Sequence, residues 1–314
     1  MARAHAAAAL HMGLSPLAVC RSNASAERFA AATGVSCQAV DLDTYLAGVT
    51  RPSAAIVAVT IDALLDCSVT LLERGVRKIL VEKPAAVEVS QIIRLAEVAT
   101  AMGADVYVAY NRRFYNSVTT ARSMISDDGG ATSAKFDFTE RADLIGALPH
   151  STIVKNNWLL ANSSHVIDLA FFLAGAPSAL DARTVGALPW HPAGARFVGS
   201  GITEDGALFS YHADWEAPGR WSVDVRTRRR RLILEPLEEL RVQTAGAFTV
   251  APVEISAEPA GLKPGILGQL RAFLGQGDTA SLVTIQAHAQ RATSVYEAIC
   301  ARTNTAEQNC NPPQ

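Results

Sequence analysis

The sequence predicts an α/β protein: a doubly wound parallel sheet at the N-terminus, followed by an α+β domain with a mostly antiparallel sheet. Three observations carry this. Over about the first hundred residues, short apolar runs alternate with helical segments across brief turns, the pattern of repeated β–α units. After Tyr110 a series of alternating strand patterns takes over, interrupted by one strongly apolar helix. Between the two, the run Lys78-Ile79-Leu80-Val81 stops against Glu82-Lys83-Pro84. A buried strand ending in a carboxylate, an amine and a proline opens into the crevice at the C-terminal edge of such a sheet. Taken alone, Lys83 also fits a surface lysine at a strand end.

Taken in order, Arg3 to Met12 is alanine-rich and helical, stopped by Gly13, and Leu17 to Cys20 is a short strand. Ser25 caps a helix that runs to Thr33 before Gly34. A strand at Cys37 to Val40 precedes a helix starting near Asp41. Ala54 to Val59 reads as a strand, Asp62 to Arg74 as a helix ended by Gly75, Glu88 to Met102 as a helix and Asp105 to Ala109 as a strand. Beyond it come a helix from Asn116 to Ile125 and strands at Ser133–Thr139, Leu180–Ala187, Ala207–Ala213, Trp221–Thr227, Arg231–Glu235 and Glu239–Val242. Ser164 to Leu173 is the apolar helix, and Gly265–Leu274 and Ile285–Ala301 are late helices. The expected domains are 1–112 and 113–303, with a polar, disordered tail over 304–314.

Composition excludes several classes. The chain has 314 residues, 49% hydrophobic and 18% charged, with a net charge of −2, enough for two cores and no support for nucleic-acid binding. The one basic run, Arg228 to Arg231, lies between strand patterns and reads as a solvated hairpin turn. Five scattered cysteines, Cys20, Cys37, Cys67, Cys300 and Cys310, form no CxxC or Cys/His metal spacing, so no metal is expected and a reduced, cytoplasmic setting fits. No segment approaches the ~18 apolar residues of a membrane span. The alanine-rich start is interrupted by His5 and His11, and Val19 is too large for a lipoprotein cleavage site, which argues against export.

Three segments together, Val81-Glu82-Lys83-Pro84-Ala85, Val108-Ala109-Tyr110-Asn111-Arg112-Arg113-Phe114 and Ser164-His165-Val166-Ile167-Asp168-Leu169, resemble the Gfo/Idh/MocA family of nicotinamide-dependent sugar and polyol dehydrogenases. The resemblance extends to a closing helix near Ala287 to Arg302. It implies a Rossmann-like first domain and gives Lys83 contact with both the nicotinamide ribose and the substrate hydroxyl, where an ammonium stabilises a developing alkoxide. It makes His165 the general acid/base; read without it, His165 is a satisfied histidine at a helix start. The family usually carries an aspartate four residues before this histidine. Here that position is Ala161, and Asn162 stands beside it, able to hydrogen-bond but not to take up a proton.

Further site residues follow. Trp158, after Lys155-Asn156-Asn157, offers either a sugar platform or a packing indole. Asn111, Arg112 and Arg113 sit at a strand end: Asn111 and Arg113 are expected at the substrate and Arg112 at the cofactor, one arginine serving as an ion-pair partner. Trp190-His191-Pro192 reads as a plain loop. Arg21 and Ser22 occupy the place where NAD-preferring relatives carry an acidic residue. A guanidinium and a hydroxyl suit a 2′-phosphate, so NADP(H) is expected over NAD(H), with a plain loop arginine as the alternative. Thr60, Ile61, Asp62 and Glu82 complete the expected cofactor contacts.

A dinucleotide site needs a glycine-rich turn between its first strand and first helix. The sequence begins inside that helix, and Gly13 and Gly34 are helix terminators. A late start is therefore expected, with the first strand missing, an open slot in the sheet, reduced stability and weak dinucleotide binding. The implied activity is hydride transfer between NADP(H) and a secondary alcohol of a sugar, nucleotide sugar or cyclic polyol, in a homodimer or homotetramer with no nucleic-acid or membrane partner. The other reading is a catalytically silent sugar- or dinucleotide-binding homologue or scaffold, favoured by Ala161 and the absent glycine loop.

Overall fold

The computed structural model describes residues 1–301, so the tail expected over 304–314, with Cys310, lies outside the described residues. The first domain runs α1 (Ala2–His11), β1 (Ala18–Cys20), α2 (Asn23–Thr33), β2 (Cys37–Ala39), α3 (Leu42–Ala47), β3 (Ala55–Val57), α4 (Leu64–Glu73), β4 (Lys78–Glu82), α5 (Val89–Ala101) and β5 (Asp105–Ala109). Asp41 caps α3 and Gly34 closes α2 at φ 72° as the sequence signals indicate, but the N-cap of α2 is Ser22 and not Ser25: the Ser22 side chain accepts from the Ser25 N–H, which lies inside the first turn. The helix expected from Asp62 instead starts as a 3₁₀ turn at Ile61–Ala63, because Thr60 rather than Asp62 is the extended residue before it.

β3, β4 and β5 pair in parallel, and β4 is buried over all but its first residue. Ile79, Leu80 and Val81 are fully enclosed, each contributing roughly 1.5–3 kcal/mol of burial. β1 and β2 pair in parallel with each other but share no hydrogen bonds with β3, so the parallel strands form two separate sheets. Around that break Leu17 and Val59 are exposed.

The second domain comprises α6 (Asn116–Asp127), β6 (Ser133–Asp137), α7 (Ala142–Gly146), α8 (Thr152–Asn156), α9 (Ser164–Ala174), β7 (Pro177–Val185), β8 (Arg196–Thr203), β9 (Leu208–Asp214), β10 (Ser222–Arg226), β11 (Arg230–Leu234), β12 (Arg241–Thr244) and β13 (Ala251–Pro252). Its eight strands lie in the order β13-β12-β11-β10-β6-β9-β8-β7, antiparallel except for the parallel pair β6–β9. The pattern along β9 alternates exposed and buried, so one sheet face is covered and the other open. α9, buried at ten of its eleven positions, covers the closed face over β6 and β10. β8 escapes the sequence reading because Gly199 and Gly201 break its alternation. They are glycines because a Cβ at 201 would sit 2.0 Å from the Ala179 carbonyl. The basic run is indeed at the β10–β11 turn, yet Arg230 and Arg231 are anchored, to Asp128 and Asp224 respectively.

The chain then turns back. α10 (Ile266–Phe273) packs on α1 and against Leu80 and Ala109, β14 (Val283–Thr284) adds antiparallel to β5, and α11 (Ile285–Arg291) lies on α5, before α12 (Glu297–Cys300). One continuous core therefore runs from the parallel sheet through α9 to the antiparallel sheet, and the crevice at the ends of β4 and β5 is walled by both.

Candidate functional site

The crevice is built from strand ends. Lys83 directly follows β4 and is joined by a cis bond to Pro84, with a turn at Ala85 beyond it. His288 on α11 supports this turn: its Nε2–H donates to the Pro84 carbonyl at 3.0 Å. Burial pushes the His288 pKa down to about 4, which keeps the ring neutral. The Lys83 ammonium crosses to the second domain, donating to the Ala161 carbonyl at 2.5 Å and lying 3.5 Å from Asn162 Oδ1. Ala161 and Asn162 belong to a π-helical turn, Leu159–Ser163, that leads straight into α9, an irregularity typical of functional positions. The same turn delivers His165, so lysine and imidazole come to the two sides of one junction.

His165 is buried, edge-on to Tyr110 at 5.7 Å and 6.3 Å from the Trp221 ring, and its Nδ1 has no hydrogen-bond partner. Burial first, then the charges of Arg112 and Lys83, hold its pKa well below the ordinary imidazole range. Lys83 is lowered to about 8, again by burial and then by Arg112, with Glu82 and Glu140 opposing. At neutral pH the site thus holds an ammonium beside a neutral imidazole, an arrangement able to stabilise an alkoxide and accept its proton.

Arg112 lies over the Trp221 indole at 4.8 Å, and its Nε is buried without a partner. Arg113 is committed elsewhere: Nε and Nη2 donate to the two Asp168 oxygens at 2.7 Å each, so its guanidinium is a structural partner and not a free substrate donor. Asn111 donates to the Pro264 carbonyl at 3.0 Å, and next to it Gly265 must be glycine, since φ is +74° and a Cβ would sit 2.1 Å from the Asn111 carbonyl. Trp158 is buried against Trp190 and His150. Trp190 is no plain loop residue, since it stacks on Trp215 with centroids 5.8 Å apart.

At the cofactor side, Glu82 is buried and hydrogen-bonded to His5 Nε2 at 2.7 Å. Ile61 packs beside Val87, Val154 and Ala161, which brings the Thr60-Ile61-Asp62 turn up to the junction. Arg21 is exposed at the end of β1, with no ion-pair partner among the described residues, and Ser22 caps α2. An unpaired guanidinium at this strand end and the orphaned Arg112 Nε nearer the junction fit the ends of a dinucleotide. Two residues missed by sequence reasoning stand in the same wall, Trp221 and Glu140. The Glu140 carboxylate is buried and accepts from Asn162 Nδ2 at 3.0 Å and Ser163 Oγ at 2.8 Å. Among the described residues no cluster of three His, Cys, Asp or Glu side chains could hold a metal, and no helix is long and apolar enough to cross a membrane.

Fold and crevice together define a two-domain protein with a dinucleotide-binding Rossmann domain joined to a mostly antiparallel sheet domain. Residues 1–110 match the model of the Gfo/Idh/MocA family, described as an oxidoreductase family with an NAD-binding Rossmann fold. The whole chain is similar in fold to levoglucosan dehydrogenase in complex with NADH and levoglucosan (TM-score 0.74, 18% identity, 95% of this chain and 94% of that one). It is also similar to an oxidoreductase from Agrobacterium radiobacter in complex with NAD+, L-tartaric acid and magnesium (TM-score 0.76, 14% identity, 95% and 93%). A third similar structure is UDP-N-acetylglucosamine 3-dehydrogenase GnnA from Acidithiobacillus ferrooxidans (TM-score 0.71, 15% identity, 95% and 94%). No curated protein matches the chain.

Proposed function

We propose that the protein is an oxidoreductase transferring a hydride between NADP(H) and a secondary alcohol of a sugar, nucleotide-linked sugar or cyclic polyol. The observation that carries this reading is the meeting, across one crevice, of Lys83 and the turn that leads into the His165 helix. A bound nicotinamide would accept or supply the hydride. Lys83 donates to the substrate oxygen and stabilises negative charge as it develops there, and the neutral His165 ring takes the hydroxyl proton and releases it to solvent. Trp221, half-buried between Arg112 and His165, gives an apolar ring face for a sugar to lie on. The sugar and nucleotide-sugar dehydrogenases among the similar folds support the substrate class.

The test is a burst measurement of NADP+ and NAD+ reduction with a panel of sugars and cyclic polyols. Sugar binding with no change in nicotinamide absorbance across the panel would overturn the enzyme reading in favour of a silent homologue. Cofactor choice rests on Arg21, with NAD(H) as the competing ligand. Arg21→Asp is expected to change the NADP/NAD ratio of kcat/KM by about tenfold or more in favour of NAD, since a 2′-phosphate loses its cation. An unchanged ratio discards the assignment. Self-association is proposed through the open sheet face, where Val198, Ile202 and Leu208 are exposed; a monomer mass by light scattering would remove it.

A further inference from the structure

We propose that Glu140 is the positioning carboxylate of this site: it holds Asn162 with its amide oxygen toward Lys83 and balances the lysine charge from across that amide. This rests on the reading of Lys83 as the group beside the reacting oxygen. The geometry is a short chain, in which Glu140 Oε1 accepts from Asn162 Nδ2 and Asn162 Oδ1 faces Lys83 Nζ. An amide has one donor end and one acceptor end, so the carboxylate decides which end the ammonium meets. With the amide reversed, two donors would oppose each other. Ser163 Oγ donates to the same carboxylate oxygen and fixes the π turn on which Ala161 also presents its carbonyl to Lys83.

The charges around Lys83 single out Glu140. The groups that act on the ammonium are Arg112 and Lys263, which repel it, and Glu82 and Glu140, which attract it; His165 is neutral. Glu82 is already bonded to His5. Position 161, on the turn itself, is alanine. Glu140 is therefore the carboxylate facing the junction without an imidazole or cation at salt-bridge distance. Keeping it there is costly, because a buried carboxylate held by two neutral donors is poorly compensated. Burial accordingly pushes its pKa up to about 7, against the pull of Ser163, Asn162 and Lys83. The same charge also favours the cationic form of Arg112. Glu140 and Lys83 face each other across the Asn162 amide, so the charge state of each acts on the other.

Competitive acetylation of Lys83, followed by peptide mass spectrometry across a pH series in the full chain without cofactor or substrate, tests this. Glu140→Gln keeps the side-chain length and an acceptor for Asn162 and Ser163 but removes the charge. Lys83 is expected to become about fivefold more reactive at pH 7 in this variant, the change that a pKa drop of about one unit from about 8 produces, because losing a nearby negative charge disfavours the ammonium. In Glu140→Asp the titration should stay with the parent protein. Superimposable Lys83 curves for parent and Glu140→Gln, or an Asp variant whose curve departs from the parent as far as the Gln curve does, overturn the proposal. The measurement needs no turnover, so a protein inactive on every sugar but showing the shift rejects the oxidoreductase reading and keeps the placement of Glu140.

Discussion

Lys83→Ala is expected to lower the rate of hydride transfer by about a thousandfold while the melting temperature moves by only a few degrees. The magnitude follows from what the ammonium does: a preorganised donor at the site of developing charge accounts for roughly 10²–10³ in rate, and loss of substrate orientation adds to it. Lys83→Met retains most of the apolar stem and separates charge from packing; it should be as inactive as the alanine variant. The pH profile gives the sign. Burial and Arg112 bring Lys83 down to about 8, and His165 lies well below the ordinary imidazole range. In the direction of alcohol oxidation, the ammonium and the neutral imidazole coexist in the neutral range. Activity should therefore be level around pH 7 and fall as pH rises through 8, when the lysine gives up its proton. In Lys83→Arg, which keeps its charge throughout, any residual activity should lack that alkaline fall. A profile whose alkaline fall persists unchanged in the arginine variant removes Lys83 from the chemistry.

Much of this was legible in the sequence, and the limits have physical causes. The β–α units of the first domain announce themselves because buried strands need continuous apolar runs and helices need caps, and both signals are local. Lys83 was visible as a charged residue at the end of a buried strand. Glu140 carries the same kind of signal. The alternation Ala134, Phe136, Phe138 continues just past β6 into Thr139 and Glu140, a buried run ending in a carboxylate. It is harder to see because the stretch that follows is irregular and because its partners, Asn162 and Ser163, lie more than twenty residues on. Trp190 gives no local sign of its role, since the ring it stacks on, Trp215, comes from another part of the sheet domain. β14 is two residues long and owes its existence to the edge of β5, so no periodicity could reveal it. Arg112 and Arg113 are adjacent and chemically identical, and only the fold assigns one to Trp221 and the other to Asp168.

That assignment sets the largest stability effect. Asp168, fully buried on α9, takes two hydrogen bonds from Arg113, just past the end of the first domain, and one from Arg291 on α11. The three residues join the helix that carries His165 to the loop after β5 and to the returning helix, so the geometry of the crevice depends on them. Burial alone would raise the Asp168 pKa, but Arg113 and Arg291 override it and hold it below the ordinary carboxylate value. Asp168→Asn is expected to cost about 3–5 kcal/mol, because two guanidinium groups remain buried with no anion to balance them, which corresponds to a fall in melting temperature of roughly 10 °C. The pH dependence has a fixed sign: a depressed carboxylate stabilises the fold above its unfolded value of about 3.9 and loses that contribution as pH falls through the folded value. In chemical denaturation from neutral to acid pH, the parent protein should lose stability on acidification where the Asn variant changes less. A variant within 1 kcal/mol of the parent at neutral pH would mean that the arginines find water or other partners, and that α9 is held to the first domain by apolar contact alone.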